Sequence, residues 1–453
     1  MSEGKIIVGL DIGTTKIACI VGRRGANGKI EILGYGKSVS TGVSRGIVTN
    51  IDETVSAIRT AVDEASAQSN VDIKTVNVGI AGQHIKSIQH RGVMMRDNRD
   101  VEITNEELEK LRQDTFKINM TPGEEIIDVI PQEYFVDGEI GTTPKGMLGS
   151  KLEANFHVII GQKAAAMNIV KCIERAGLEM DQMILEPIAS AAATLDEEEK
   201  EAGVALVDIG GGTTDIAVFH ENKIYHSAVI PFGGNIITED ISKGCAIIRR
   251  YAEDVKVKFG SAVASENRDD EVVSIPGIRG RAPKEISFRN LASIIQARME
   301  EIFDLVNVEI QKVNSQHKLI AGIVLTGGGA MMRHIQPLAA FKTALDVRIG
   351  YPNEHLSEDT AKELESPMYA TGIGLVIEGI KRADYQEKLE KAKNKTPFVT
   401  PPVRETVVEE EENKEEDIDT SKDKKKRKKE KSGHKSLDLT KIITGFFKVD
   451  DIE

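Results

Sequence analysis

The sequence predicts an α/β protein with a duplicated fold, two lobes facing each other across a nucleotide-sized cleft, and a small α+β domain inserted in the first lobe. Three observations carry this reading. "DIGTTK" from Asp11 and "DIGGGTTD" from Asp208 repeat one order of residues, each between short apolar runs rich in β-branched side chains that read as buried strands. Each copy opens one half of the folded chain. Composition changes near residue 84 and again near residue 385, which marks an insertion and a tail.

Residues 1–83 read strand, strand, strand, helix, strand, and with 161–205 form the expected first lobe. The helix "DETVSAIRTAVDEASAQS" puts Val55, Ile58, Ala61, Val62 and Ala65 on one face. Residues 84–160 differ in character. Short strands, the charged helix "TNEELEKLRQDTF" with a capping pattern at Thr104, and the turn-rich "DGEIGTTPKGMLGS" suggest an inserted domain. The strand "FHVIIGQ" and the helix "AAAMNIVKCIERAGL" then resume the first layer, followed by the strand "DQMILEP" and the small-residue helix "IASAAATL". Residues 206–383 form the second lobe, with a smaller subdomain at about 240–320. Helices are expected at "GGNIITEDIS", "CAIIRRYAEDVKVKFG" and "FRNLASIIQARMEEIFDLVNVEIQKV", then a strand at "GIVLTGGGAMM" and a last ordered segment "YATGIGLVIEGI".

From 384 to 435 hydrophobic residues nearly vanish, and an acidic block, "EEEENKEEDID", precedes a basic one, "KDKKKRKKEK". Such a segment cannot bury a core and is expected to be disordered. Residues 436–453 regain hydrophobicity. Leu439, Ile442, Ile443, Phe446 and Phe447 fall on one helical face, with Lys441 and Lys448 off it. A short amphipathic helix on a tether suits a membrane interface, and the basic block adds attraction to anionic lipids. The competing reading is a helix that folds back on the body or fills a protein groove.

Composition narrows the function. The 453-residue chain has no Trp, only 4% aromatic residues and a net charge of −13. That argues against a carbohydrate or single-stranded nucleic-acid platform and against general nucleic-acid binding. Cys19, Cys172 and Cys245 have no CxxC spacing and read as buried small hydrophobes in a reducing compartment. The first strand begins by Ile6, which leaves no room for a signal peptide, and no run of about 18 apolar residues could span a membrane.

The turns carry the chemistry. Gly210, Gly211, Gly212, Thr213 and Thr214 can aim backbone N–H groups and hydroxyls at an anion. Aspartates beside a phosphate need a cation between them, so Asp11 and Asp208 are expected to hold Mg²⁺, mostly through water. In the first copy Gly13, Thr14 and Thr15 make the turn. Aligned with two glycines missing, Lys16 falls where Asp215 stands and offers a point charge to a β- or γ-phosphate. Glu186, where a strand meets a helix, and Asp215 are the candidate catalytic carboxylates, to orient or deprotonate water. Capping before Pro187 is the structural alternative for Glu186. Gly327, Gly328 and Gly329 form a third glycine turn, suited to close approach of a sugar and α-phosphate.

Together these residues resemble the actin-like ATPase superfamily of actin, Hsp70 chaperones and sugar kinases. "DIGTTK" and "DIGGGTTD" look like its phosphate motifs, "TGGGA" its adenosine motif, and "EPIASAAA" and "YATGIGL" its two connecting helices. Glu253 and Lys256 match positions that hold adenosine in relatives. The resemblance implies an actin-like, ribonuclease-H-like duplicated fold with ATP and Mg²⁺ as cofactors. Within the superfamily it narrows to the bacterial FtsA family: the insertion falls at about 84–160, where that family carries its SHS2 domain, "IPQEYFVDG" and "GGNIITEDIS" are similar to family segments, and an amphipathic helix ends the chain. Membership would imply a nucleotide-binding cytoskeletal protein rather than primarily an enzyme, with slow, regulatory hydrolysis. It would also imply self-association into filaments, a peripheral place on the cytoplasmic face of the plasma membrane at the septum, and division partners on the inserted domain. The FtsZ C-terminal peptide would dock near Lys284, Arg289, Asn290 and Arg298. An actin-like ATPase of a pilus or secretion system is the alternative, and a small-molecule kinase a more distant one.

Overall fold

The computed structural model describes residues 4–395 except 26, 142, 278, 280, 281 and 315–317. The first lobe starts with β1 (Ile7–Ile12), β2 (Lys16–Arg24) and β3 (Ile30–Val39), then the short pair β4 (Val43–Ser44) and β5 (Ile47–Val48). Helix α1 (Ile51–Ser69) follows, and β6 (Thr75–Ile80) returns to the sheet. Asn50 caps α1 by accepting from the Glu53 N–H at 3.2 Å, and the left-handed Asn70 ends it. Val55, Ile58, Ala61, Val62 and Ala65 are all buried against the sheet, as their spacing requires.

The inserted region holds β7 (Lys86–Met95), α2 (Asn105–Thr115), β8 (Glu124–Val136), β9 (Glu139–Gly141) and β10 (Lys151–Gln162). Its strands form one antiparallel sheet in the order β7-β10-β8-β9. Thr104 and Glu107 make the expected capping box of α2. The strands are longer than expected, up to 13 residues in β8. "FHVIIGQ" does not resume the first lobe, as the sequence had suggested; it is the second half of β10. The reason is visible in the pattern. Leu152, Ala154, Phe156, Val158 and Ile160 alternate without a break, and all five are buried in the inserted domain's own core beneath α2.

The chain re-enters the first lobe with α3 (Lys163–Ala176) and β11 (Glu179–Leu185), and β11 leads directly into α4 (Glu186–Thr194). A short α5 (Glu197–Ala202) precedes the second lobe. That lobe contains β12 (Val204–Ile209), β13 (Thr214–His220), β14 (Lys223–Ile230), α6 (Gly234–Gly244), α7 (Arg249–Phe259), the two-stranded β15 (Val272–Ile275) and β16 (Lys284–Ser287), and α8 (Phe288–Asn314). It closes with β17 (Ile323–Thr326), α9 (Ile335–Thr343), β18 (Val347–Ile349) and α10 (Ala370–Lys395).

The two central sheets have the same topology. The first runs β3-β2-β1-β6-β11 and the second β14-β13-β12-β17-β18. In each, the first three strands are antiparallel and the last two add in parallel. A duplicated fold is therefore present. Helix α10 runs on to Lys395, beyond the boundary placed at residue 384. Charge had marked that boundary, but Ala, Leu, Glu and Lys at 386–395 are also strong helix formers. The rest of the charged segment and the amphipathic 436–453, with Leu439, Lys441, Ile442, Ile443, Phe446, Phe447 and Lys448, lie outside the described residues.

Where α4 and α10 cross, their backbones touch. A Cβ on Gly374 would fall inside the Ala189 carbonyl group and 2.9 Å from Ala189 Cα. Across the molecule, the inserted domain reaches the second lobe's edge strand β14. Ser87 Oγ donates to the Ser227 carbonyl (2.8 Å), Gln89 Nε2 to that of Tyr225 (2.9 Å) and Gln132 Nε2 to that of Ile224 (2.8 Å). His157 Nε2 lies 3.0 Å from Ser227 Oγ. Burial pushes the His157 imidazole down to about 3, so this histidine is neutral in its seam.

Candidate functional site

The two hairpins point their turns at one another across the lobes. Ile12 pairs with Ile17 and Ile209 with Thr214, so Gly13–Lys16 and Gly210–Thr213 are turns of equal length. The gapped alignment expected from sequence is thus incorrect. Loop length fixes hairpin register, and Lys16 corresponds to Thr213. The counterpart of Asp215 is Ala18, which faces Asp11 as Asp215 faces Asp208.

This register explains the run of glycines. A Cβ on Gly211 would run into the Thr15 hydroxyl. One on Gly212 would stand 2.7 Å from Thr14 Oγ1 and 3.0 Å from the Arg45 backbone. The second hairpin carries glycine where the first presents threonine, so the tips can approach closely. Gly327, at φ +81°, faces Asp208 and the Ile209 backbone in the same way.

These turns enclose a cavity of about 430 Å³. Asp11, Gly13, Thr14, Thr15, Lys16, Glu186, Asp208, Gly210, Gly211, Gly212, Thr213, Asp215, Glu253, Lys256, Gly327, Gly328 and Gly329 all line it. Of the expected cleft residues only Thr214 does not. It is fully buried, and its hydroxyl donates to the Phe232 carbonyl at 2.8 Å.

The carboxylates share a strained electrostatic setting. Burial, then the charges of Asp11, Asp215 and Asp208, hold Glu186 well above the usual carboxylate range. Burial, with the Asp208 charge behind it, pushes Asp215 up to about 7. Burial raises Asp208 to about 6 despite a hydroxyl bond from Ser190. Burial also raises Asp11, against the pull of Lys16 3.6 Å away. Asp11, Glu186, Asp208 and Asp215, crowded together with Lys16 beside Asp11, favour a cation. Asp215 adds a direct sign: Oδ2 accepts from Thr213 at 2.8 Å, while Oδ1 is buried with no partner among the described residues. No three His, Cys, Asp or Glu side chains among those residues could cage a metal alone. The donor set fits a cation that keeps most of its water and phosphate ligands.

Both connecting helices hold Asp208. Ser190 on α4 donates to Oδ2 at 2.8 Å, and Thr371 on α10 lies 3.4 Å from the same oxygen. At the far end Lys256 on α7 donates to Glu253 Oε2 (2.8 Å), Thr238 Oγ1 (2.8 Å) and the Gly234 carbonyl (2.9 Å). Sequence reasoning missed the apolar wall beside this network, formed by Ile237, Val257, Met299, Met331, Met332 and Met368. The pair Met331–Met332 directly after the third glycine turn was the readable signal.

The expected peptide-docking residues separate. Lys284, Arg289 and Asn290 are exposed where β16 meets α8, and Arg289 pairs with Asp269 at 2.8 Å. Arg298 is turned inward. It bonds Asp240 at 2.6 Å and Glu301, and lies over the Phe232 ring at 5.6 Å.

Family models match three stretches: "Cell division protein FtsA" over residues 205–374, "SHS2 domain inserted in FTSA" over 82–160 and "Hsp70 protein" over 163–223. The chain is 38% identical over 383 residues to the cell division protein FtsA of Pseudomonas aeruginosa, covering 84% of this chain and 91% of that one. It is 41% identical over 369 residues to FtsA of Neisseria meningitidis, covering 81% and 88%. With FtsA of Bacillus subtilis the figures are 36% over 378 residues, covering 83% and 84%. Among solved structures, a PilM–PilN type IV pilus biogenesis complex aligns at TM-score 0.62 and 16% identity, over 83% of this chain and 98% of the other. MreB 5 of Spiroplasma citri bound to AMPPNP aligns at TM-score 0.51 and 17% identity, over 86% and 99%. At these identities the structures establish the actin-like fold.

Proposed function

The chain belongs to the FtsA family of cell-division proteins, and from that premise we propose that it binds ATP with Mg²⁺, polymerises on the cytoplasmic face of the plasma membrane and anchors FtsZ filaments there. One observation carries the nucleotide reading: three glycine turns and five carboxylates from both lobes converge on a single cavity of about 430 Å³. The turns offer backbone N–H groups to the phosphates, and Lys16 adds a positive charge. Asp11 and Asp208 would hold the magnesium through water, where it would supply charge to offset the phosphates. Lys256 and Glu253 take the ribose, and the methionine wall takes the base. Glu186 and Asp215 stand where they orient water, so hydrolysis is available, but slow turnover serves filament regulation better than catalysis.

The tail supplies the membrane contact through Leu439, Ile442, Ile443, Phe446 and Phe447, with Lys441 and Lys448 toward the headgroups. Lys284, Arg289 and Asn290 form the docking site for the acidic FtsZ peptide. Co-sedimentation with anionic liposomes, with and without ATP, tests the anchoring reading by comparing the full chain with one ending at Lys435. Pelleting that needs residues 436–453 is the expected result. Equal pelleting of both chains, or of neither, overturns the membrane role.

A further inference from the structure

Two contacts position the Lys16 ammonium. One is the Asp11 carboxylate at 3.6 Å, and the other is the face of the Tyr369 ring, with Nζ 4.4 Å from its centroid. Tyr369 is 3% exposed and is held on several sides. Its hydroxyl donates to Glu363 Oε1 at 2.6 Å. The same carboxylate takes Lys37 Nζ at 2.5 Å and the Tyr35 hydroxyl at 3.0 Å. Tyr35 also packs edge-to-face against Tyr369 at 6.5 Å. The ring therefore has one fixed place, and a phenol that donates to an anion presents a more electron-rich face to a cation.

The two supports of Lys16 differ in what a bound nucleotide does to them. A magnesium ion beside Asp11 competes with the ammonium for the same oxygens. It has no claim on an aromatic face. From this geometry we infer that Tyr369 is a positioning residue: its ring keeps Lys16 extended toward the phosphates when the metal takes Asp11. The inference rests on the nucleotide reading above and deepens it. The surrounding turn, Pro367–Tyr369, places this role centrally. The Pro367 carbonyl accepts from Gly327 N–H at 3.2 Å, and Thr371, two residues beyond Tyr369, faces Asp208. One short segment thus touches the third glycine turn, the second hairpin's aspartate and the first hairpin's lysine.

The test is phosphate-count dependence, which a merely structural role does not produce. Affinities of the full chain for ATP, ADP and AMP are measured with Mg²⁺ by competition against a fluorescent nucleotide. Tyr369→Phe keeps the ring but loses its hydroxyl bond to Glu363, and should weaken ATP and ADP less than a leucine variant does while leaving AMP unchanged. Tyr369→Leu should weaken ATP and ADP by about threefold to thirtyfold, the range of a partly desolvated cation–π contact, and leave AMP unchanged. In a Lys16→Ala background it should cost nothing further. Should the leucine variant fail to fold, Tyr369→Met makes the same comparison with a flexible side chain. Wild-type ATP affinity in the leucine or methionine variant, or equal loss for AMP, overturns the inference. A wild-type chain that binds no nucleotide at all overturns the nucleotide reading instead.

Discussion

Replacing Gly374 with alanine sets two effects against each other. In an isolated helix the change stabilises by about 1 kcal/mol. Here the new Cβ would stand 2.9 Å from Ala189 Cα and closer still to that residue's carbonyl. Carbon pairs rest at about 3.5–4.0 Å, the Ala189 carbonyl carbon would be only 2.3 Å away, and no side chain is available to rotate away, so α4 and α10 must separate by about 1.2 Å or more. Overpacking of this kind costs roughly 1–3 kcal/mol, and a backbone contact belongs at the upper end. The separation also strains the Asp208 bonds from Ser190 and Thr371, because Ser190 adjoins Ala189 and Thr371 lies one turn before Gly374. A charge-assisted hydrogen bond is worth about 1.5 kcal/mol or more. The clash therefore wins, with a net loss of about 2–4 kcal/mol. At the specific unfolding entropy of globular proteins this lowers Tm by about 2–5 °C for a chain of this size, read by scanning calorimetry. ATP affinity should fall as well. Ser190→Ala removes the hydrogen bond without the clash, weakening nucleotide binding while lowering Tm by about 2 °C. A Gly374→Ala protein as stable as wild type would show that the helices do not meet as described.

The remaining predictions concern other parts of the molecule. Asp215 and Asp208 have folded values of about 7 and about 6, above the ordinary 3.8, so between about pH 4 and 7 the nucleotide-free fold binds more protons than the unfolded chain. Their contribution to stability is full below about pH 4 and is lost as pH rises through 6–7; the Tm difference between pH 6 and pH 8 should shrink in Asp215→Asn and reverse with saturating Mg²⁺–ATP. Lys256→Met removes three hydrogen bonds at the far end of the cavity and should weaken ATP and AMP alike, by about tenfold, in isothermal titration. In the inserted domain Arg112 pairs with Asp128 at 3.0 Å, both buried; Asp128→Ala leaves the guanidinium only Glu109 at 3.5 Å and the Val129 carbonyl at 2.7 Å and should cost about 3 kcal/mol, the lower end for a broken buried pair, seen as faster proteolysis between residues 84 and 160. Arg289→Ala should weaken binding of an FtsZ tail peptide, whereas Arg298→Ala should lower Tm by breaking the Asp240 pair, read by peptide anisotropy and thermal scans.

Legibility in the sequence followed the range of the forces. The hairpins, the Thr104 helix start and the α1 face depend on neighbours a few residues away, so pattern and capping chemistry expose them. The relation between the hairpins did not show, because glycine counts suggest a gap that only strand pairing removes. Thr214 reads as one of two equivalent threonines, yet register sends its hydroxyl to Phe232 and away from the cleft. Arg298 reads as one more charge on a long helix. Only the fold brings Asp240, 58 positions earlier, against it. The apolar wall of the cavity joins residues from α6, α7, α8 and two separate turns, and no local period links them.

The hold of the inserted domain on β14 has a mechanical consequence. The domain is covalently rooted in one lobe, through the joints from β6 to β7 and from β10 to α3, and it grips the other through Ser87, Gln89, Gln132 and His157. The lobes are themselves joined by the crossing of α4 and α10. Three bodies connected pairwise form a closed linkage, and a closed linkage has fewer free motions than an open chain of the same parts. A rotation between the lobes is compatible with an intact grip only if the inserted sheet tilts by a matching amount. Otherwise its four contacts to β14 must part together. The angle of the cleft is thereby written into the attitude of a surface on the far side of the molecule, with no contact between that surface and anything held in the cleft.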